Sequence, residues 1–437
     1  MILVPLALLI AAFAAASATA AAGPKPPKPD KGAAKAGQTA PAALPGDQAD
    51  KLKKQDLLLP VAQGFADQAL SADSDIAGVS IDVDAGVVHV YRKNTRKALD
   101  LTGAPNNVKI EVHAAKFSRK QLIDAAEQVT RDAQALGQQQ VTVESVGPAV
   151  DGSGIEVSVL SDGGAALDRA SELLTARYGD VVADVNAVES KTSDSELYFN
   201  GWRFNDFAAW YGGDRLASSS SGCTSGFAAY YNGPAILTAS HCGGVGTNWY
   251  NGPTTASAFH FMGTTVYSDT ATDVAAIQAS GSNYINIGWD PQVASQLYVG
   301  SWASPVVGEY LCQSGSYTGE RCGLRVVDTA QYVCLSYFLW WCTSWQGPLA
   351  DVISAYGSAS PAAGHGDSGG PVYQYTYNYN SGSWQGIAKG LVHGQLTPNA
   401  RSAYPAYFPD NVWCPSPDYG SSPRCSSGFS FAHMPGY

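Results

Sequence analysis

No cysteine occurs before Cys223 in this 437-residue chain, and all eight lie between Cys223 and Cys425. The first half therefore carries no covalent staples, while an even count confined to the second half reads as the disulfide framework of an exported domain. No Cys-x-x-Cys pair and no His-x-x-x-His spacing accompanies these cysteines, which argues against a zinc site. Charge is scarce as well: 14% of residues are charged, the net charge is −11 and the pI is about 5.0. A nucleic-acid partner would need a basic stripe, and there is none. The apolar run at 2–16 has no Lys or Arg ahead of it. Secretory signals usually carry one, so a membrane anchor, or a misplaced start codon, stays open beside a cleaved signal.

What is present divides the chain. Ala18-Thr19-Ala20 and Ala21-Ala22-Gly23 put small residues where signal peptidase cuts, so residues 1–22 are expected to be a signal peptide. Residues 23–55, rich in Pro, Lys, Ala and Gly, have too little apolar surface to order themselves and read as a disordered linker. Residues 56–196 read as α+β. Strands are expected around Val87–Tyr91, Val108–His113, Val141–Val146 and Ile155–Val159, where apolar residues alternate. The spacing of Leu122, Ile123, Ala126 and Val129 predicts a helix within Phe117–Leu136, with Ser118 as N-cap, and a second helix spans Ala165–Tyr178. His89 and His113 are isolated in the sequence and read as surface or core residues. From residue 197 to 437, short apolar or aromatic runs alternate with Gly, Asn and Ser turns, as in a sandwich or barrel. Phe227–Tyr231, Asn232-Gly233 and Ile236–Thr238 read as a hairpin.

The second half is organised around Gly366-Asp367-Ser368-Gly369-Gly370-Pro371, read with Thr238-Ala239-Ser240-His241-Cys242. A serine on a glycine-rich turn presents its hydroxyl, and the glycines let amide N–H groups converge on one point to hold an oxyanion. An unassisted hydroxyl is a poor nucleophile, so a base must lie in reach, and His241 is the candidate. At these residues the chain resembles the chymotrypsin-like serine peptidases, specifically their secreted bacterial streptogrisin and alpha-lytic branch. The resemblance covers about 212–437. It implies two six-stranded antiparallel β-barrels with the active site between them, an oxyanion hole from the N–H groups of Gly366 and Ser368, and a Ser-His-Asp triad. Asp273 is the third member, because Asp273-Val274-Ala275-Ala276-Ile277 leads an acid into an apolar strand; Asp269 is the weaker choice. The family joins the equivalents of Cys223 and Cys242, and the loop holding Cys312 and Cys322 resembles another bridged loop. Cys334 with Cys342, and Cys414 with Cys425, follow by adjacency, one choice among many pairings.

Two departures stand out. The family usually has an arginine where this chain has Gln313, paired with the Asp before the catalytic Ser. Asp367 thus needs another partner: Gln313, Arg321, Arg325 or a freed N-terminal amine. The family's cysteine ahead of the serine loop is also missing from Pro361-Ala362-Ala363-Gly364-His365. The resemblance implies a pocket base near Ala362, which disfavours Lys or Arg before the cut, and a far wall at Leu391-Val392-His393-Gly394-Gln395. Gly394 leaves room for an apolar or aromatic side chain, whereas His365 and His393 open a glutamate-preferring alternative; His393 otherwise reads as a satisfied wall residue, the favoured reading. The aromatic tracts Tyr337–Trp341 and Tyr373–Tyr379 read as strand and loop packing, with a surface-binding platform as the rival. Residues 56–196 are expected to act as the pro-region that such families use to assist folding and then inhibit; a retained binding domain is the rival. Taken together, the chain is expected to be a secreted, monomeric serine endopeptidase made as a pro-enzyme. Its partners are protein or peptide substrates and its own pro-region, with no cofactor, metal or nucleic acid and no membrane after signal removal. A simple esterase, or a non-catalytic binding protein on a peptidase scaffold, is the alternative of another class.

Overall fold

The computed structural model describes residues 46–96, 99, 108–161, 164–188, 202–204, 206–219, 221–252, 260–289, 295–338, 341–378, 382–407, 412 and 425–433. The expected signal peptide lies outside them, as does the linker up to residue 45. At its end the linker expectation is corrected, because helix α1 runs from Gly46 to Ala69. Leu52, Gln55, Leu58, Leu59, Ala62, Phe65 and Ala69 recur at helical spacing and are all buried. Leu58, Leu59, Ala62, Phe65 and Ala69 pack on a three-stranded sheet of β1 (Ile76–Asp82), β2 (Val87–Arg92) and β3 (Lys109–Ala114), whereas Leu52 joins the core of the second half.

A second layer follows. Helix α2 (Arg119–Arg131) starts at a capping box in which Ser118 and Gln121 satisfy each other's backbone N–H groups. Helix α3 (Ala133–Gln138) comes next, so the single expected helix is broken at Asp132. Helix α4 (Ala165–Tyr178) has the expected bounds. These helices cover β4 (Val143–Pro148), β5 (Ile155–Leu160) and β6 (Val182–Val188), whose core includes Val143, Val146, Ile155 and Val157.

The second half is mostly strand: β7 (Trp210–Gly212), β8 (Arg215–Ala217), β9 (Gly222–Thr224), β10 (Ala228–Tyr230), β11 (Pro234–Thr238), β12 (Asn248–Asn251), β13 (His260–Asp269) and β14 (Val274–Gln278). Then come β15 (Gly281–Ile287), β16 (Ser295–Trp302), β17 (Tyr310–Gly315), β18 (Gly319–Phe338) and β19 (Trp341–Ser354). The chain continues with β20 (Ala363–Gly364), β21 (Pro371–Asn378), β22 (Ser383–Gly394), α5 (Pro398–Ala403), β23 (Cys425–Ser426) and β24 (Gly428–His433).

Hydrogen bonding groups most of these strands into a seven-stranded sheet, β10-β11-β14-β13-β12-β8-β9, and a twelve-stranded one that also takes in strands of the first half. The reason is the 20-residue strand β18. It outgrows the sheet of the second half and takes β4 as an antiparallel neighbour, Tyr332 opposite Val146 and Val333 opposite Ser145. The larger sheet therefore runs from β6, β5 and β4 through β18 into β17, β21 and β22.

The first half is joined to the second by polar contacts too. The buried Gln55 amide acts as a strand partner for Tyr310, donating to its carbonyl at 2.9 Å and accepting from its N–H at 2.5 Å. Asn399 accepts from the Ser158 hydroxyl at 2.5 Å and donates to the Glu156 carbonyl at 3.0 Å and to Gln331 at 2.8 Å. Residues 39–437 accordingly form one compact unit. Three bridges are described, Cys223–Cys242, Cys312–Cys322 and Cys334–Cys342, each as expected. Cys425 is also disulfide-bonded, and Cys414 lies outside the described residues.

Candidate active site

His241 sits in the tight turn Ser240–Cys242 that ends β11, and Asp273 immediately precedes β14. These strands are antiparallel neighbours, Thr238 opposite Ala275, which brings the two residues together. Val274, Ala275, Ala276 and Ile277 are all buried, so the apolar strand anchors the acid. Asp273 has a left-handed φ of 58°, which asparagine and aspartate tolerate better than most residues.

The Asp273 carboxylate is fully buried and collects donors: the Ser240 hydroxyl at 3.0 Å, the His241 backbone N–H at 3.0 Å and His241 Nδ1 at 2.8 Å. A fourth donor is His393 Nδ1 at 2.6 Å, from the end of β22. Burial works against the ionised acid, but the charge and hydrogen bond of His241 and the bond from His393 outweigh it and hold Asp273 far below the usual carboxylate range. An ionised carboxylate only accepts, so both imidazoles must carry their protons on Nδ1. His241 Nε2 is then left with a lone pair. Burial disfavours the His241 cation, but the Asp273 charge and hydrogen bond prevail and raise its pKa above the ordinary histidine value.

The serine loop packs against this pair. Gly369, at φ 82°, is where it comes closest: a Cβ there would lie 2.2 Å from Thr238 Oγ1 and 2.6 Å from the Thr224 carbonyl. Thr224 N–H donates to the Ser368 carbonyl at 2.9 Å, and Gly369 N–H donates to the Val392 carbonyl at 2.8 Å. The Cys223–Cys242 bridge holds β9 to the histidine turn, and Cys242 Sγ lies 3.7 Å from the Ser368 carbonyl. The Ser368 hydroxyl itself donates to the His393 carbonyl at 3.4 Å and is not hydrogen-bonded to His241. Gly366 has φ 89°, and a Cβ on it would collide with the Tyr317 ring at 2.2 Å.

The partner of Asp367 is Thr318, a residue the sequence did not single out. Its hydroxyl donates at 2.5 Å and its N–H at 3.1 Å, joined by the N–H groups of Tyr317 at 3.1 Å and Gly364 at 2.9 Å. Burial raises the Asp367 pKa, and these donors oppose the rise. Gln313 acts one step away, donating to Thr318 Oγ1 at 2.9 Å and to the Ala362 carbonyl at 3.0 Å. Arg321 instead donates to the carbonyls of Trp289 and Glu320 and stacks on Trp289. A hydroxyl and three amides thus do the work expected of a cation.

The expected pocket residues separate. His393 has its Nδ1 bonded to Asp273 at 2.6 Å and a side chain 15% exposed, which leaves its Nε2 edge as the part that can face a ligand. Ala362 is fully enclosed in a cluster with Leu311, Val372, Val392, Phe429 and Phe431. His365 follows β20 and is half-buried. Gly394 lies opposite Ser430 of β24, and a Cβ on it would meet nothing within 4 Å. The ligand atoms of His241, Asp273 and His393 lie within 4.8 Å of one another, a spacing the hydrogen bonds already explain.

No family model and no curated protein matches the chain. Among solved structures it is similar to Thermobifida fusca Protease A, at 20% identity over 51% of this chain and 90% of that one, with a TM-score of 0.33. It is similar to a Nocardiopsis protease at 21% identity over 51% of this chain and 91% of that one, TM-score 0.33. A third is a glutamic-acid-specific serine protease described as using a histidine triad in substrate binding, at 20% identity over 51% and 92%, TM-score 0.33.

Proposed function

We propose that this chain is a serine endopeptidase, secreted and made as a pro-enzyme. The observation that carries the reading is the 2.8 Å bond between His241 Nδ1 and the buried Asp273 carboxylate, beside a serine presented on a glycine loop. That bond leaves His241 Nε2 able to take a proton. Closing the triad requires Ser368 Oγ to exchange its 3.4 Å bond to the His393 carbonyl for one to Nε2; such bonds are often loose before substrate binds.

Ser368 Oγ then attacks the peptide carbonyl as its proton passes to His241 Nε2. The N–H groups of Gly366 and Ser368 stabilise the oxyanion, worth about 10²–10³ in rate per donor in such sites. The imidazolium, stabilised by Asp273, returns the proton to the leaving amine and an acyl-enzyme remains. Water repeats the sequence and frees the enzyme. An apolar or aromatic residue before the cut is favoured, because a side chain at Gly394 would meet nothing within 4 Å and Ala362 brings no carboxylate to pair with a basic one. The glutamate-preferring alternative would draw on His365 and on the Nε2 edge of His393, whose Nδ1 Asp273 already holds.

Residues 46–188 are proposed to be the pro-region, since their strand β4 extends the sheet of the second half through β18. The segment 189–201 is proposed to carry the processing site. Peptide-library cleavage mapped by mass spectrometry tests the reading. The secreted protein is expected to cut after apolar or aromatic residues, and Ser368→Ala to abolish every such cut. Cuts that persist in Ser368→Ala, or an active form that still begins near Gly46, would overturn the peptidase or the pro-region reading respectively.

A further inference from the structure

We propose that His89, Glu111 and His113 form a binding site for a divalent transition-metal ion on the outer face of the N-terminal sheet. Although 22 residues separate His89 from Glu111 in sequence, β2 and β3 run parallel with His89 opposite Glu111 and Tyr91 opposite His113. Side chains alternate along a strand, so His89, Tyr91, Glu111 and His113 share one face. The other face carries Val88 and Val90, both fully buried in the core built with α1. The three ligand side chains are therefore held on a packed sheet yet open to solvent, at 23%, 37% and 38% exposure for His89, Glu111 and His113.

Their ligand atoms converge. His89 Nδ1 lies 2.9 Å from His113 Nε2, and Glu111 Oε2 lies 3.5 Å from the first and 3.9 Å from the second. Metal–ligand bonds of about 2.0–2.2 Å in a tetrahedron put ligand atoms roughly 3.3–3.6 Å apart, so small side-chain adjustments seat an ion between them. The His113 ring is steadied by stacking on Tyr91, with centroids 5.0 Å apart. Lys109 Nζ contacts Glu111 Oε1 at 2.5 Å, which leaves Oε2 to the imidazoles. Two imidazole nitrogens and one carboxylate oxygen suit Zn²⁺, Cu²⁺, Ni²⁺ or Co²⁺ and not Mg²⁺ or Ca²⁺, which want an oxygen shell. Solvent supplies the remaining position. An ion here ligates two adjacent strands, so its binding stabilises the folded N-terminal sheet.

The test uses the full chain carrying Ser368→Ala, so that it stays uncut, titrated with ZnCl₂ by calorimetry and with CoCl₂ by visible absorption. One equivalent is expected to bind and to raise the melting temperature. His89→Ala and His113→Ala are each expected to lose both effects, and Glu111→Gln to weaken them. The loss must occur without a change in the metal-free melting temperature. A second variant, His241→Ala, is expected to keep the site, which separates it from the histidines around Asp273. Binding that survives in His113→Ala, binding lost only in His241→Ala, or no binding at all overturns the proposal. Should a histidine variant fail to fold, ¹H–¹⁵N histidine spectra of the Ser368→Ala chain decide. Zn²⁺ is expected to shift His89 Nδ1 and His113 Nε2, whereas shifts confined to His241 and His393 overturn the proposal.

Discussion

Asp273 receives two imidazoles, and the second has a consequence that can be measured. His393 donates one of the hydrogen bonds that keep the Asp273 charge partly neutralised. In His393→Ala the carboxylate attracts the His241 cation more strongly, so the His241 pKa rises further. The base must be neutral to work, so the acid limb of the kcat/KM profile is expected to move to higher pH. A limb that moves to lower pH or stays in place counts against a positioning role for His393. Thr318 governs the other buried acid. Thr318→Val removes the 2.5 Å donor from Asp367 and leaves a buried carboxylate short of one bond, at a cost of about 1–3 kcal/mol in urea unfolding. An unchanged midpoint would mean that the three amides suffice.

Between elements, the close approach of the serine loop to the end of β11 sets the geometry of the site. Gly369→Ala puts a methyl where Thr238 Oγ1, the Thr224 carbonyl and the Ala239 N–H already stand, at a φ of 82° that alanine resists. The loop must retreat, and a shift of this order at a reacting atom costs roughly a hundredfold in kcat/KM. Full activity in that variant would show that β11 yields without cost. The expected helix from Phe117 broke at Asp132 for a reason that is not local. The chain turns there, and Asp132 is held by Arg177 and Tyr178 of α4, a contact from 45 residues away in sequence that periodicity cannot report.

Across the whole molecule, the seam between the two halves carries three carboxyls with raised pKa values: Glu156 of β5, Asp328 of β18 and Asp351 of β19. Burial is the main cause for each, and Asp328 is pushed further by the charges of Asp351 and Glu156; Asp351 reaches about 7. Arg119 interacts with the charge of Asp328 and Arg401 with that of Asp351, and Thr397 donates twice to Asp351. The repulsion between Glu156 and Asp328 is the part that crosses from one half to the other, and separating the halves relieves it. That share of the rise is proton uptake on docking, so docking is favoured at low pH and weakens as pH rises above the ordinary carboxylate pKa of about 4. Once the chain is cut within 189–201, the halves are expected to co-elute from a sizing column at pH 5 and to separate more readily at pH 8. Tighter association at pH 8 would contradict this.

By itself the sequence determined whatever is local. The Gly366–Pro371 run, the His241 turn and the acid ahead of Val274 were legible because each is a short motif whose chemistry needs those residues in that order. Strands β2 to β5 and helices α2 and α4 were legible from alternation and helical spacing. Helix α1 was not, because Pro60 and the lysines of its first turns mask the stripe from Leu58 to Ala69 that only packing against β1 and β2 makes useful. The tertiary structure alone decided that His393 serves Asp273, that Thr318 replaces a cation at Asp367 and that His89 meets His113. Each pairing joins residues far apart along the chain, and which of the many donors reaches a buried acceptor depends on strand register and close packing, not on residue type.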